Sequence, residues 1–166
     1  MLFRSYGLRE KDPEEALGLI YSRINNPNLE ILEDRLAVWD GADKALVFSS
    51  GMAALVGVLM AWLNAGDEVI FFDECYHRSR EFCRRHLTRF GVAFREVKTG
   101  DYAALEAAIS PRTRMVVSES PTNPHLSIAD CGVLAEIGRR RGVLTLIDAT
   151  LSTPRSEEHT SELQSH

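Results

Sequence analysis

Short apolar runs alternate along the chain with longer segments in which apolar residues recur at helical spacing. Apolar runs bounded by turn-forming residues predict strands; they are Ala45–Phe48, Glu68–Phe72, Val92–Val97, Arg114–Ser118 and Val143–Ile147. The helical segments open at Asn26-Pro27, cover Met52–Leu63, run past Arg80 and Leu87 to Gly91, and cover Tyr102–Ile109 and Ala129–Arg141. Strands that alternate with helices imply right-handed crossovers and a mainly parallel sheet covered on both faces. The predicted fold class is therefore α/β, a three-layer αβα arrangement.

Composition restricts the classes of protein to which the chain could belong. Its 166 residues are 45% apolar, enough for one domain with a substantial core. The sequence shows neither an apolar run of membrane-spanning length nor a signal peptide, so we expect a cytoplasmic protein with no membrane partner. The net charge of -5 gives no broad electrostatic reason to bind nucleic acid.

The cysteines and histidines do not form a recognisable metal site. The cysteines are odd in number and lack C-x-x-C spacing, so we expect reduced thiols, mostly buried, and no disulfide framework. The histidines His77, His86 and His125 also lack the spacing of a ligand set. The sequence therefore predicts no metal. The cysteines are Cys75, Cys83 and Cys131.

Polar residues follow several predicted strands at the point where each strand ends. Glu119 and Asp148 each end or follow an apolar run, and Asp73 and Tyr76 follow another. In open parallel sheets, ligands bind beyond the carboxyl ends of the strands, so these groups are expected at one functional edge. Each has an ordinary alternative, such as a helix cap or a packed tyrosine, which the pattern alone leaves open.

The turn Ser49-Ser50-Gly51 before the helix at Met52 is typical of a phosphate site. The first N–H groups of a helix lack intrahelical acceptors and lie at the positive end of its dipole. The turn is not the G-x-S-x-G nucleophile elbow, and the chain contains no G-x-x-x-x-G-K-[ST] loop. A tight turn without a ligand is the alternative.

Five ordered motifs together resemble the Cys/Met-metabolism (trans-sulfuration) family of pyridoxal-phosphate enzymes. They are Tyr21-Ser22-Arg23, Ser49–Ala54, Asp73–Tyr76, Glu119–Pro124 and Asp148–Pro154. The resemblance covers about residues 21–154, and an ordered set of motifs is far more specific than any one of them. It implies that the chain is part of the large cofactor domain of a fold-type I enzyme that binds pyridoxal 5'-phosphate.

The resemblance also implies a role for individual residues. Asp148 would face the pyridine nitrogen and keep it protonated, and Tyr76 would stack on the ring; these are the two candidate catalytic residues. The other implied cofactor-binding residues are Ser50, Gly51 and Met52 at the phosphate, and Glu119, Asn123 and Thr150 around the ring.

Family resemblance further implies that the site is completed by a second copy of the chain. Tyr21 and Arg23 would reach across a dimer interface to the partner's cofactor phosphate, within a tetramer built from dimers. The small residues that usually follow the stacking tyrosine are replaced by the segment His77–Arg80. We therefore expect extra positive charge near the substrate, whose identity stays open.

A lysine in the expected context is missing from the chain. Pyridoxal-phosphate chemistry requires a lysine that forms a Schiff base with the cofactor and moves the proton of the α carbon. The chain contains only Lys11, Lys44 and Lys98, none of which matches the family's motif. We therefore interpret it as an inactive fragment of an enzyme that performs γ- or β-elimination or replacement on cystathionine, methionine or activated homoserine. The alternative is a non-catalytic α/β module that binds a phosphorylated ligand or partner.

The sequence predicts three parts, the last of which differs from the others in origin. Residues 1–44 are an N-terminal arm with the first helix, and residues 45–154 are a partial cofactor-binding α/β domain. Residues 155–166 are mostly polar, lack periodicity and resemble a frame translation of a sequencing-library adapter. We interpret this tail as non-native; a short native disordered tail is the alternative.

Overall fold

The computed structural model describes residues 2–4 and 26–152. These residues form two compact units, one with residues 2–4 and 26–49 and one with residues 50–152. Tyr21, Arg23 and the tail 155–166 lie outside the described residues, so what the sequence predicts for them stays a prediction. The same holds for the predicted domain boundaries.

The first unit contains a helix and a short antiparallel sheet. Helix α1 covers Pro27–Trp39 and begins where the side chain of Asn26 accepts the N–H of Asn28 at 2.9 Å. Strands β1 (Leu2–Arg4) and β2 (Asp43–Ala45) pair with each other. The sequence pattern predicted the helix but neither of these short strands.

The predicted buried strand Ala45–Phe48 is wrong. β2 ends at Ala45, and the side chains of Leu46 and Phe48 are 57% and 41% exposed. The N–H of Val47 is donated to Oε1 of Glu33 at 2.8 Å rather than to a strand. A short apolar run does not reveal where its N–H groups find acceptors, and here a helix side chain supplies one.

The second unit is built on a parallel sheet with the strand order β4-β3-β5-β6. Its strands are β3 (Glu68–Phe72), β4 (Ala93–Val97), β5 (Thr113–Glu119) and β6 (Leu144–Asp148). Its helices are α2 (Gly51–Trp62), α3 (His77–Arg85), α4 (Tyr102–Ala108) and α5 (Cys131–Arg141), with a 3-10 turn at Leu87–Phe90. The predicted bounds agree to within two residues, except that α3 ends at Arg85 before the separate 3-10 turn.

Helices cover both faces of this sheet. Successive residues of a strand point to opposite faces. Phe72 meets Tyr102 of α4 with ring centroids 5.9 Å apart. Phe71 meets Phe94 at 5.6 Å, and the guanidinium of Arg84 from α3 lies over the Phe94 ring at 5.6 Å. Helices α3 and α4 therefore lie on opposite faces, which confirms the α/β class and its layers.

The central strands β3 and β5 hold the core of this unit. Val69, Ile70 and Phe71 are fully buried, and Met115–Val117 are no more than 2% exposed. Strands buried on both faces have continuous apolar runs instead of alternating patterns, as parallel sheets require. All three cysteines are reduced thiols, as predicted, and two of them are buried. In the described part of the chain, no helix is long and apolar enough to cross a membrane.

Candidate functional site

Two acidic residues lie side by side where β5 and β6 end. Glu119 is the last residue of β5, Asp148 is the last residue of β6, and the strand register pairs them directly. The N–H of Ser120 donates to the backbone carbonyl of Asp148 at 3.0 Å, which continues the pairing beyond the strands. The sheet thus delivers two neighbouring carboxyl groups to its carboxyl edge.

The carboxylate of Glu119 is buried and holds the chain at Tyr76. Its Oε2 accepts the N–H of Tyr76 at 2.5 Å, and the backbone N–H of Asn123 also acts on this carboxylate by lowering its pKa. Burial raises the pKa of Glu119; the N–H of Tyr76 opposes the shift, and the negative charge of Asp148 adds to it. The net pKa of Glu119 therefore lies above its ordinary value.

Asp148 is in a more open environment than Glu119. Its side chain is half-buried, and its Oδ1 accepts the N–H of Thr150 at 3.1 Å and the hydroxyl of Thr150 at 2.5 Å. These bonds fix the carboxylate in one orientation beyond the strand end. A fixed, accessible carboxylate is suited to a cationic or N–H-bearing ligand group.

The N-terminus of α2 offers backbone donors with free space in front of them. The side chain of Ser50 caps the helix by accepting the N–H of Ala53 at 3.1 Å. A Cβ placed on Gly51 would meet nothing within 4 Å, so the first turn is open to a ligand. Unsatisfied N–H groups at a helix N-terminus favour an anion such as phosphate.

A sulfur contact joins the first turns of α2 and α3. The hydroxyl of Ser79 donates to Sδ of Met52 at 3.7 Å, and Ser79 is buried. Tyr76 immediately precedes α3; its side chain is half-buried, and its ring lies 4.9 Å from the ring of His77. This contact and the Tyr76–Glu119 bond connect the α2 terminus, Tyr76 and the acidic strand ends into one region.

The arginines of the segment His77–Arg80 have carboxylate partners. Arg80 donates to the carbonyl of Cys75 and to Glu96 of β4, each at 2.9 Å. Arg78 pairs with Glu81 at 3.1 Å on an exposed helix face. The positive charges of Arg78 and Arg80 are therefore each paired with a carboxylate. The bonds of Arg80 also hold the start of α3 against β4.

A second polar cluster, which sequence reasoning missed, anchors the loop after β5. Oε2 of Glu74 accepts the hydroxyls of Thr122 and Ser127 at 3.0 and 2.9 Å. The hydroxyl of Thr122 in turn accepts the N–H of Ser127 at 2.9 Å, and Nδ1 of His125 lies 3.5 Å from Oε1 of Glu74. The cluster holds Asn123 near the strand ends. In the sequence, the only signal of this cluster is the acidic Glu74 after Asp73 together with the hydroxyl residues Thr122 and Ser127 after Glu119.

The cysteine beneath the site is not a nucleophile. Cys75 is 3% exposed, and its thiol lies 3.7 Å from the carbonyl oxygen of Val117. Burial, with the charges of Glu119 and Asp148, raises the pKa of this thiol to about 12. The thiol is therefore protonated at neutral pH. In the described part of the chain, no group of His, Cys, Asp and Glu residues is arranged to hold a metal.

The arrangement fits pyridoxal phosphate in its main chemical features. The open α2 terminus suits the phosphate, Tyr76 offers an aromatic ring, and Asp148 offers a carboxylate for a ring nitrogen. Of the predicted site residues in the second unit, Ser50, Gly51, Met52, Tyr76, Glu119, Asn123, Asp148 and Thr150 are described. Tyr21 and Arg23 are not, and their proposed role across a dimer stays a prediction.

Comparisons with known proteins identify the family. The family model described as "Cys/Met metabolism PLP-dependent enzyme" matches residues 3–159. L-methionine gamma-lyase of Pseudomonas putida is 40% identical over 84% of this chain, and cystathionine gamma-lyase of Mus musculus is 41% identical over 81%. The chain spans only 35% and 34% of the length of these relatives.

Solved structures agree with the sequence comparisons. A putative O-acetylhomoserine (thiol)-lyase from Campylobacter jejuni, which carries a pyridoxyl-lysine phosphate, matches with a TM-score of 0.80 at 32% identity. The match covers 85% of this chain and 35% of that one. An O-acetylhomoserine sulfhydrylase of Wolinella succinogenes matches with a TM-score of 0.74, also at 32% identity, over 78% of this chain and 37% of that one. The chain belongs to the Cys/Met metabolism family of pyridoxal-phosphate-dependent enzymes.

Proposed function

We propose that the protein carrying this chain is a pyridoxal-phosphate-dependent lyase or transferase of sulfur amino acid metabolism. Its reaction is elimination or replacement at the γ or β carbon of cystathionine, methionine or an activated homoserine. The observation that carries the proposal is the joining of Gly51, Tyr76 and Asp148 at one edge, through the Met52–Ser79 contact and the Tyr76–Glu119 bond. Relatives named for reactions on these substrates support it.

Each residue of this edge has a role that its environment supports. Ser50, Gly51 and Met52 bind the phosphate at the start of α2, Tyr76 stacks on the cofactor ring, and Asp148 receives the pyridine N–H. Thr150 orients Asp148 through its two hydrogen bonds to Oδ1. In this proposal, Thr150 also contacts the cofactor. The amide of Asn123 is exposed next to this edge and binds the ring oxygen. The cofactor supplies the electron sink that stabilises a carbanion at the substrate's α carbon.

The lysine required for the reaction is supplied from outside these 166 residues. Lys98 follows β4, and β3 and β5 separate that strand from β6, a lateral distance of roughly 14 Å at ordinary strand spacing. Lys44 lies in β2 and Lys11 lies outside the described residues, and neither matches the lysine motif of the family. We therefore propose that the chain by itself binds the cofactor without turning over substrate.

Two copies complete the site in this proposal. Tyr21 and Arg23 of one copy bind the phosphate held by the α2 terminus of the other, because a guanidinium offers a permanent charge and a planar fork of donors. The assembly is a tetramer built from such dimers and works in the cytoplasm on a small amino acid.

Borohydride trapping tests the function directly. The protein expressed from its complete gene is mixed with pyridoxal phosphate, reduced and mapped by mass spectrometry, with the 166-residue chain treated in parallel as the control. We expect a pyridoxyl group on one lysine of the complete protein, and none on Lys11, Lys44 or Lys98 of either sample. If the complete protein takes up no pyridoxyl group, the enzyme proposal fails and the non-catalytic phosphate-binding module takes its place.

A further inference from the structure

Glu119 joins two segments that face the same end of the sheet. Its carboxylate accepts the N–H of Tyr76, which precedes α3. The backbone N–H of Asn123, in the loop after β5, also faces this carboxylate and lowers its pKa. The Tyr76 bond spans 43 residues of sequence and is 2.5 Å long. One carboxylate therefore sets the backbone position of a residue that offers an aromatic ring and of a residue that offers an amide.

Glu119 itself has almost no surface to offer a ligand. It is 2% exposed, whereas the side chain of Tyr76 is half-buried and that of Asn123 is exposed. The charged groups that act on Glu119 in the described structure are Asp148 on β6 and Arg80 on α3. Asp148 repels the charge of Glu119, whereas Arg80 and the backbone N–H groups of Tyr76 and Asn123 favour it.

We propose that Glu119 is a positioning residue: its carboxylate holds the backbone at Tyr76 and Asn123, and thereby places the ring of Tyr76 against the cofactor. Glu119 itself does not contact the cofactor. The inference rests on the cofactor site proposed above. It predicts that the two N–H groups respond together to the state of Glu119, and that cofactor binding depends on a residue with no cofactor contact.

Glu119→Gln is the test variant because Gln keeps the size of the side chain but replaces one acceptor oxygen by an N–H donor. Glu68→Gln is the matched control, since Glu68 is also 2% exposed. Glu68 begins β3, at the edge of the sheet opposite to that of Glu119, and its carboxylate bonds to Arg95 and Thr113. A loss of stability alone would affect both variants. A loss of positioning affects only the first.

The first measurement needs no cofactor. In proton–nitrogen correlation spectra of the wild-type protein recorded over a pH series, the N–H resonances of Tyr76 and Asn123 shift with one shared apparent pKa. The shared titration is lost in Glu119→Gln and retained in Glu68→Gln. Independent titration of the two resonances in the wild-type protein, or its persistence in Glu119→Gln, would overturn the inference.

The second measurement is the affinity for pyridoxal phosphate, together with the visible circular dichroism of the bound cofactor. We expect Glu119→Gln to bind roughly tenfold more weakly, with an altered dichroic band, as for loss of a hydrogen bond to a charged group. Glu68→Gln keeps both signals. Unchanged affinity and dichroism in Glu119→Gln would refute the positioning role. If the wild-type protein binds no cofactor, the proposed function fails, and the spectra still decide whether Glu119 holds both segments.

Discussion

Two glutamates with the same burial have opposite surroundings in this sheet. Glu68 begins β3, and its carboxylate accepts from Arg95 at 3.1 Å and from the hydroxyl of Thr113 at 2.7 Å. Glu119 ends β5, where it accepts the N–H of Tyr76 beside the like charge of Asp148. The carboxylate of Glu68 lies at the amino edge of the sheet and forms an ion pair with Arg95. The carboxylate of Glu119 lies at the carboxyl edge of the sheet, where it is buried beside the like charge of Asp148.

The titration of Glu119 predicts how stability depends on pH. Burial raises the pKa of Glu119 above 4.5, the N–H of Tyr76 opposes this, and the charge of Asp148 adds to it. The folded state therefore holds this proton more tightly than the unfolded state, so its contribution to the free energy of unfolding falls as pH rises from 4.5 through the folded pKa. We predict that the difference in free energy of unfolding, wild type minus Glu119→Gln, decreases over that interval in urea titrations. A difference that is constant or that grows with pH would contradict the assigned burial.

At the scale of elements, the sequence predicted what depends on local pattern. The strand Glu68–Phe72 is confirmed residue for residue, because its last four residues form the continuous apolar run of a buried parallel strand and polar residues mark both ends. The sequence interpretation places the start of α5 two residues early, at Ala129, because it does not include the cap at Asp130, whose side chain accepts the N–H of Val133 at 2.9 Å. The run after Ala45 was misassigned because the N–H of Val47 bonds to Glu33, a residue of another element. The Glu74 cluster likewise joins residues that are distant in the sequence. Such pairings depend on the tertiary fold and leave no periodic trace.

The close approach of α5 to the sheet depends on Gly138. A Cβ at this position would lie 2.7 Å from Cγ2 of Thr145 and 2.8 Å from the carbonyl oxygen of Val143. We expect Gly138→Ala to lower the free energy of unfolding by about 1–3 kcal/mol, as for overpacking of a close contact. Gly132→Ala is the control on the same helix, because its added Cβ meets only Oδ1 of Asp130, at 3.2 Å. Equal melting temperatures for Gly138→Ala and the wild type would show that the contact is looser than described.

On the scale of the whole molecule, the candidate site is assembled from segments that are distant in sequence. The α2 terminus, the residue before α3 and the ends of β5 and β6 meet through side-chain bonds to Glu119 and Met52. Family resemblance predicted which residues gather, because their motifs occur in order along the chain. It did not predict the buried state of Glu119, nor the sulfur contact, since both depend on how helices lie against strands.

The central claim is that the open α2 terminus holds the phosphate of pyridoxal phosphate, and charge reversal at Gly51 tests it most directly. The site of the added Cβ is empty, and a carboxylate near a helix N-terminus favours the helix, so Gly51→Asp is expected to fold. The measurement is the affinity for pyridoxal phosphate of Gly51→Asp, with Gly51→Ala as the size control. We predict near wild-type affinity for Gly51→Ala and a loss of roughly 100-fold or more for Gly51→Asp, because two like charges come almost into contact. Wild-type affinity in Gly51→Asp would contradict the claim.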